Sequence, residues 1–479
     1  MHPWRTAPLL RAIWRPQTLF WMCVVLVWGF LYLFWLREYG SHLVSDGGWY
    51  LRTARHLYHD GIYSLGDVSE RGALLPTSRF PPVFPGLLLM SYALFGDVPV
   101  TLEAVRVVLF GLALGTVFFT YRIGCLWNKR IGYLAATLAA LDVHMLATAM
   151  NYDLPDSAVA LFVTMGVFYF LRYLTGRQGA VDIALAALWL GVAMWTKVTA
   201  YLLWVPLVGI LAWYLLRNRH LATWRKVTHV GVFLLVVLLF FGGWKIRNWY
   251  AVGTPSFTSQ SGEAMLHYHA AYTLARARGT PDAAKVFERD LSLMRVPIEM
   301  EGLSIAQKDD YFYAMARRIL LAHPASYLLV KLADIPNLLF GTLPPYYFFP
   351  RVSVGGIVQK FDTGVYVGHR TALPLLWAEG RYLYVAVYVV WKAMMLTLVV
   401  AACIGVVRMG RERRHSWLLA VLLVVISYIL FVSTPVADPR YRPPLMPMVY
   451  VLAAYGFYSL HVLLRRARSV HDVGVLVAP

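Results

Sequence analysis

Two carboxylates and a set of bases in this chain have the types and placement that acid–base chemistry on a phosphate-linked substrate needs. They are Asp46, Arg79, Asp156, Lys197, Arg247, Arg440 and Arg442, each beside the end of an apolar run. A carboxylate at a partly dehydrated lip accepts a proton from a hydroxyl. Arg and Lys neutralise the charge that develops as a phosphate departs. Asp46 directly follows the first long apolar run, residues 17–36, and precedes an amphipathic stretch. There Trp49/Tyr50, Ala54 and Leu57/Tyr58 recur at helical spacing, with Arg52, Arg55, His56 and His59 between them. Such a helix lies in the membrane interface, apolar face toward lipid. Plainer roles compete at every position. Asp46 and Asp156 can cap the helices they open, and span-end bases snorkel.

The elements that must position these residues are membrane spans. The chain is 59% hydrophobic and 14% charged, with a mean hydropathy of +0.57, well outside the soluble range. Several apolar runs reach the roughly 20 residues that cross a hydrocarbon core. The formal charge of +19 invites a nucleic-acid reading, but the bases cluster at the ends of apolar runs. That pattern fits topology and anionic lipid headgroups, with no nucleic-acid partner. Cys23, Cys125 and Cys403 fall within or beside apolar runs, without metal-ligand spacing. Arg5, Arg11 and Arg15 precede the first run without a small-residue cleavage site, which reads as an uncleaved first span.

The expected fold is an all-α polytopic membrane protein, a single integral membrane domain over residues 1–479 with about ten spans. They fall near 17–37, 103–124, 131–149, 157–174, 182–196, 198–216, 226–245, 383–407, 416–434 and 444–464. Basic turns at Lys129/Arg130, Arg172/Arg177, Arg217–Lys226 and Arg408–Arg414 put both termini in the cytoplasm. Two stretches, 82–95 and 324–341, would invert later loops if counted singly. They read as interfacial or re-entrant helices. The irregular mass then gathers on the outer face, in loops 38–102 and 246–382. The second loop is ordered: Ser304 and Gln307 form a capping box, followed by the stripe Phe312, Met315, Ala316, Ile319 and Leu320.

The order of motifs resembles the GT-C superfamily of membrane glycosyltransferases, on the branch of protein O-mannosyltransferases and the lipid A aminoarabinose transferase. The resemblance rests on Asp46 with the Trp-Tyr-Leu-Arg-Thr-Ala-Arg-His-Leu that follows, on Arg-Phe-Pro-Pro-Val-Phe-Pro-Gly-Leu from Arg79, and on Tyr121-Arg122-Ile123-Gly124. It continues through Leu-Pro-Asp-Ser around Asp156, Trp-Thr-Lys at 195–197, Arg247-Asn248 and Arg440-Tyr441-Arg442-Pro443. It implies a sugar donor on a polyprenyl phosphate, a lipid, glycan or protein acceptor, and a site on the periplasmic or external face of the cell (inner) membrane. Asp46 matches the catalytic acidic residue of the first loop and would serve as general base. Asp156 matches the second acidic position and would orient acceptor or sugar. Arg79, Lys197, Arg247, Arg440 and Arg442 would sit near the lipid phosphate. One displacement at the anomeric carbon inverts its configuration. The sequence departs from the pattern in three ways: Gly47 replaces the acid that pairs with Asp46 in many relatives, Phe80 separates Arg79 from Pro-Pro, and little follows the last span.

Two other classes compete: a transporter or flippase for lipid-linked sugars, and an oligosaccharide ligase using a diphosphate-linked donor. Transporters place broken helices and inverted repeats at the midplane, whereas here the polar residues sit at the outer lip and no repeat is visible. No cofactor is expected. A divalent metal on His56/His59 or His267/His269 is the alternative, without a third ligand at convincing spacing. Asp142 and Lys392, at membrane depth, read as structural charges or as function.

Overall fold

The computed structural model describes residues 16–39, 47–69, 72–98, 100–151, 154–177, 179–280, 303–341, 382–412, 416–435 and 439–475. Asp46, Asp153 and Asp438 lie outside them. The described regular structure is helical, apart from one isolated bridge between Val68 and Leu74. Seven described helices are long and apolar enough to cross a membrane. These are α4 (Val100–Gly124), α7 (Asp156–Arg172, its span continuing to Gly176), α9 (Trp204–Arg217, its span starting at Val198), α10 (Thr223–Val252), α15 (Tyr382–Arg411), α16 (Ser416–Ser433) and α17 (Met446–Val475). Shorter apolar helices are α1 (Pro16–Tyr39, apolar over Pro16–Leu31), α3 (Val83–Phe95) and α8 (Ala180–Thr196). The expectation of a polytopic all-α membrane protein is borne out.

The helix at the centre is α7. Apolar residues cover its whole circumference rather than one stripe, the pattern of a helix buried on all sides, and nearly every residue from Asp156 to Leu171 is buried. It packs on α4 and α8, and α10 closes on α8 where Gly191 leaves room for the Phe240 ring. Without a hydrophobic force between helices in lipid, small residues set how closely backbones approach. The contact of α15 with α17 is of this kind. A Cβ on Gly405 would stand 2.0 Å from the Leu452 carbonyl oxygen, and one on Gly456 would stand 2.0 Å from that of Ala401. Gly456→Leu should therefore push the helices apart, costing about 1–3 kcal/mol or more, seen as early thermal unfolding in detergent. Gly231→Ala on α10, whose Cβ meets nothing within 4 Å, should leave the transition where it is.

The expected third span, 131–149, is not one helix. It breaks into α5 (Lys129–Ala140) and α6 (Val143–Asn151) at Asp142. The buried Asp142 carboxylate accepts the His144 backbone N–H at 2.9 Å and the Tyr450 hydroxyl. It thus caps a new helix instead of continuing the old one. At the same level Trp28 of α1 donates its indole N–H to the Ala140 carbonyl at 2.7 Å.

Both ambiguous stretches form helices. With 13 residues, α3 extends only about 20 Å, short of the roughly 30 Å core, and packs on α2 (Gly47–His59). Residues 324–341 give α14 (Pro324–Phe340), bent by 98° from α13 (Ile305–Ala322) at His323–Pro324. Pro324 supplies the break, since proline disfavours helix in the residue before it. The capping box on α13 is present: Ser304 N–H donates to Gln307 Oε1 at 2.9 Å, and Gln307 N–H to Ser304 Oγ at 3.3 Å. The α13 stripe packs on α11 (Ser261–Ala264), the π-turn Met265–Ala270 and α12 (Ala271–Ala277).

Helix ends leave carbonyls that need donors, and the buried Lys331 and Arg442 and the half-buried Lys392 supply them here. Lys331 donates to the carbonyls of Phe431 (2.7 Å) and Thr434, at the end of α16. Lys392 donates to that of Phe340, and Arg442 to those of Leu339 (2.9 Å) and Gly341 (3.1 Å), at the end of α14.

Candidate active site

Chain direction brings the start of α7, the end of α8 and the short turn Pro439–Tyr441 to one end of the bundle. Asp156, 2% exposed, stands in the first turn of α7 after Pro155. Lys197 ends α8: its backbone is extended (φ −151°, ψ 138°), which turns the side chain away from the helix. The Lys197 ammonium donates to Asp156 Oδ1, and both side chains are largely out of solvent. The ammonium also lies 4.3 Å from the centre of the Tyr441 ring, a cation–π contact. Arg440 donates to the Tyr441 hydroxyl at 2.9 Å. Asp156, Lys197, Tyr441 and Arg440 thus form one chain of contacts. In it Asp156 is already neutralised by a partner, which suits orienting a substrate better than accepting a proton.

A second group sits on the first loop. Arg79 presents its guanidinium beside the rings of Trp49 (5.8 Å) and Phe80 (5.9 Å), and pairs with Glu263 of α11 at 3.2 Å. Tyr50, next to Trp49, stacks on Phe80 with ring centres 4.0 Å apart. Leu154, two residues before Asp156, shares a core cluster with Tyr50 and Phe80. The same small core therefore carries both groups.

The backbone around Arg79 is held from three sides. Arg247, near the C-terminal end of α10, donates to the Thr77 carbonyl at 2.6 Å and to Asn248 Oδ1 at 3.0 Å. The hydroxyl of the half-buried Tyr63 donates to the carbonyls of Phe80 (3.0 Å) and Pro81 (3.2 Å). Burial pushes the Tyr63 hydroxyl up, against the opposing effect of Arg247, so it remains a donor. From the second loop, Thr258 Oγ1 donates to the Arg79 carbonyl at 2.5 Å, and the Ser259 N–H to that of Ser78 at 3.1 Å. Arg247 thus serves as a clamp on the Arg79 segment.

The remaining predicted residues lie elsewhere. Arg442, 1% exposed, caps the end of α14 and lies over the Trp391 ring at 4.8 Å, in the charged neighbourhood of Asp142. That group also holds His144, which lies against Trp391 and feels the charges of Arg442 and Lys392. Asp142 and Lys392 thereby gather with a predicted site residue. The two histidine pairs diverge. His56 bonds Asp60 at 2.8 Å and His59 bonds Asp97 at 3.1 Å; His267 faces the Phe312 ring and His269 the Tyr327 hydroxyl at 3.3 Å. No cluster of three or more metal-ligating side chains occurs among the described residues.

Burial lowers the His269 imidazole to about 3, with Lys331 adding to the effect. Folding therefore excludes a proton that the unfolded chain takes up near 6.5. Stability is full above about pH 6.5 and falls as pH drops from there toward 3. Amide exchange over 261–277, corrected for intrinsic rate, should rise on going from pH 7 to pH 5, and His269→Gln should flatten that rise.

Glu263, Tyr441 and Tyr63 also belong to this arrangement, and the sequence did not single them out. Tyr441 stood inside the Arg-Tyr-Arg motif and could have been read from it. Glu263 carried no local signal, because its partner lies in another loop.

Three comparisons bear on this arrangement. The family model for dolichyl-phosphate-mannose-protein mannosyltransferases matches residues 79–244, which include Arg79, Asp156 and Lys197. Among curated proteins no match is found. Among solved structures, the Archaeoglobus fulgidus oligosaccharyltransferase, in complex with zinc and sulfate, superposes with a TM-score of 0.50 at 13% identity, over 95% of this chain and 51% of that one. The same organism's AglB with an inhibitory peptide and a dolichol-phosphate matches with 0.50 at 12% identity, over 95% and 52%. The ArnT of Cupriavidus metallidurans bound to undecaprenyl phosphate gives 0.38 at 17% identity, over 92% and 76%. This chain thus spans about half the length of the oligosaccharyltransferase. The all-α polytopic fold expected from the sequence is observed, and over most of the chain it is similar to the fold of the Archaeoglobus fulgidus oligosaccharyltransferase.

Proposed function

We propose that this GT-C type membrane protein transfers one sugar from a polyprenyl-phosphate donor to a hydroxyl of a lipid, glycan or protein acceptor. It works at the external face of the cell (inner) membrane, with both termini cytoplasmic. The observation that carries the reading is the Asp156–Lys197–Tyr441–Arg440 chain, joined to Arg79 through one small core at one end of the bundle. A buried carboxylate and several cations at a membrane lip suit a reaction in which a hydroxyl loses a proton while a phosphate monoester leaves. The family model that covers Arg79, Asp156 and Lys197 describes transferases that use dolichyl-phosphate-mannose, which supports a lipid monophosphate donor.

Asp46 takes the proton of the acceptor hydroxyl as that oxygen attacks the anomeric carbon. The bond from that carbon to the carrier phosphate breaks, and its electron pair leaves with the phosphate. Arg79 binds the departing phosphate, the step at which electrostatic stabilisation counts most. Arg440, bonded to Tyr441, and Lys197 contribute charge, and Lys197 also holds Asp156 toward acceptor or sugar. Arg442 and Arg247 act on the frame. Single displacement inverts the anomeric carbon. The test supplies purified protein in proteoliposomes with panels of undecaprenyl-phosphate and undecaprenyl-diphosphate sugars and with lipid, glycan and peptide acceptors, and follows carrier release and donor translocation. Release with at least one monophosphate donor is expected. Turnover confined to diphosphate-linked donors would favour the oligosaccharide ligase, and donor translocation without release would favour the flippase.

A further inference from the structure

Arg79 is held by the second loop more closely than a structural arginine needs to be. Thr258 and Ser259 grip the backbone on both sides of it, and Glu263 engages the guanidinium through one nitrogen, Nη2 to Oε2, at 3.2 Å. Arg79 Nε is buried and has no acceptor among the described residues, so the planar fork that suits two oxygens of one anion is half used. Glu263 itself is fixed at its backbone. Its N–H donates to Asp309 Oδ1 at 3.0 Å, and Gly262 presses so closely on α13 that a Cβ there would stand 1.8 Å from the Asp309 carbonyl oxygen. Burial raises Asp309, the bonds from Gly262 and Glu263 N–H lower it, and the nearby acids raise it. The backbone under Glu263 is therefore set, while its side chain remains partly exposed and able to swing.

We propose that the Glu263 carboxylate is a placeholder for the donor's phosphate. It occupies the Arg79 guanidinium when no lipid is bound and yields it when a phosphate monoester arrives. This rests on the reading of Arg79 as the phosphate-holding base. The exchange keeps the Arg79 side chain aimed between Trp49 and Phe80 with its charge matched. It also makes donor arrival felt in the second loop, since the displaced carboxylate must leave the first.

The test measures undecaprenyl phosphate binding to the full-length protein in nanodiscs of neutral lipid, with undecaprenol as the phosphate-free control and inorganic phosphate as a competitor. Glu263→Gln removes the competing charge and should tighten binding about two- to fivefold, the scale of a partly exposed ion pair. Arg79→Ala should weaken binding about tenfold or more, and Glu263→Gln should then bring no gain in the Arg79→Ala background. Undecaprenol should respond to neither change, and inorganic phosphate should compete more weakly than the lipid. Unchanged or weaker binding by Glu263→Gln, while Arg79→Ala still costs affinity, would overturn the placeholder and leave the Arg79 reading intact. Tightening that persists without Arg79 would reduce Glu263 to a general charge effect. Binding indifferent to Arg79→Ala would remove the Arg79 reading and the placeholder with it.

Discussion

Asp46→Asn is expected to fold, insert and bind undecaprenyl phosphate like the parent protein while turning over at least about a hundredfold more slowly. The factor is that of losing a general base, which contributes roughly 10²–10⁴. The amide keeps nearly the same shape and can still cap a helix, so the substitution separates the two roles the sequence left open. A capping role would leave turnover close to normal. Steady-state carrier release with saturating donor, compared with the melting temperature of both proteins, reads the two effects independently. Near-normal turnover would take Asp46 out of the mechanism. A melting temperature lowered in step with the rate would make its contribution structural.

The architecture was largely legible from hydropathy, and the reasons for the exceptions are local. Runs of about 20 apolar residues announce spans because nothing else tolerates so much exposed hydrocarbon. Hence α4, α7, α9, α10, α15, α16 and α17 fall where the sequence put them. The break at Asp142 was hidden because the flanking residues stay apolar. Only the cap on His144 and the bond from Tyr450, over 300 residues away, turn one run into two helices. The bend at His323–Pro324 was half visible, since the proline was there to read but its 98° consequence depends on packing.

The site divided along the same line. Asp156, Lys197 and Arg440 lie at or beside the ends of their elements, where direction alone brings them to one end of the bundle. Arg442 is two residues beyond Arg440, yet it turns inward to cap α14. A motif that reads as one cluster of bases therefore splits its charges between the lip and the frame, and no spacing rule separates them. Glu263 shows the converse: an acid in an unremarkable stretch becomes part of the site because the fold folds one loop against another.

The pair at the lip gives the sharpest separation of stability from chemistry. Lys197→Met leaves the nearly buried Asp156 carboxylate without its counter-charge, and breaking a buried pair from one side costs about 3–5 kcal/mol. Even discounted for the residual exposure of Lys197 (13%), the variant should show a clearly lowered melting temperature, and Asp156→Asn a similar one from the other side. Replacing both partners removes the unpaired charge. Asp156→Asn with Lys197→Met should regain most of the lost stability, because two desolvated charges are replaced by neutral groups of similar size. Activity should not return with it. If Lys197 supplies charge at the departing phosphate and Asp156 orients a substrate, the stable double variant remains at least about tenfold below the parent in turnover. Thermal unfolding and carrier release on the same four proteins complete the cycle. Recovery of both together would make the pair a structural strut, and recovery of neither would mean that each residue answers to a partner other than the one it touches.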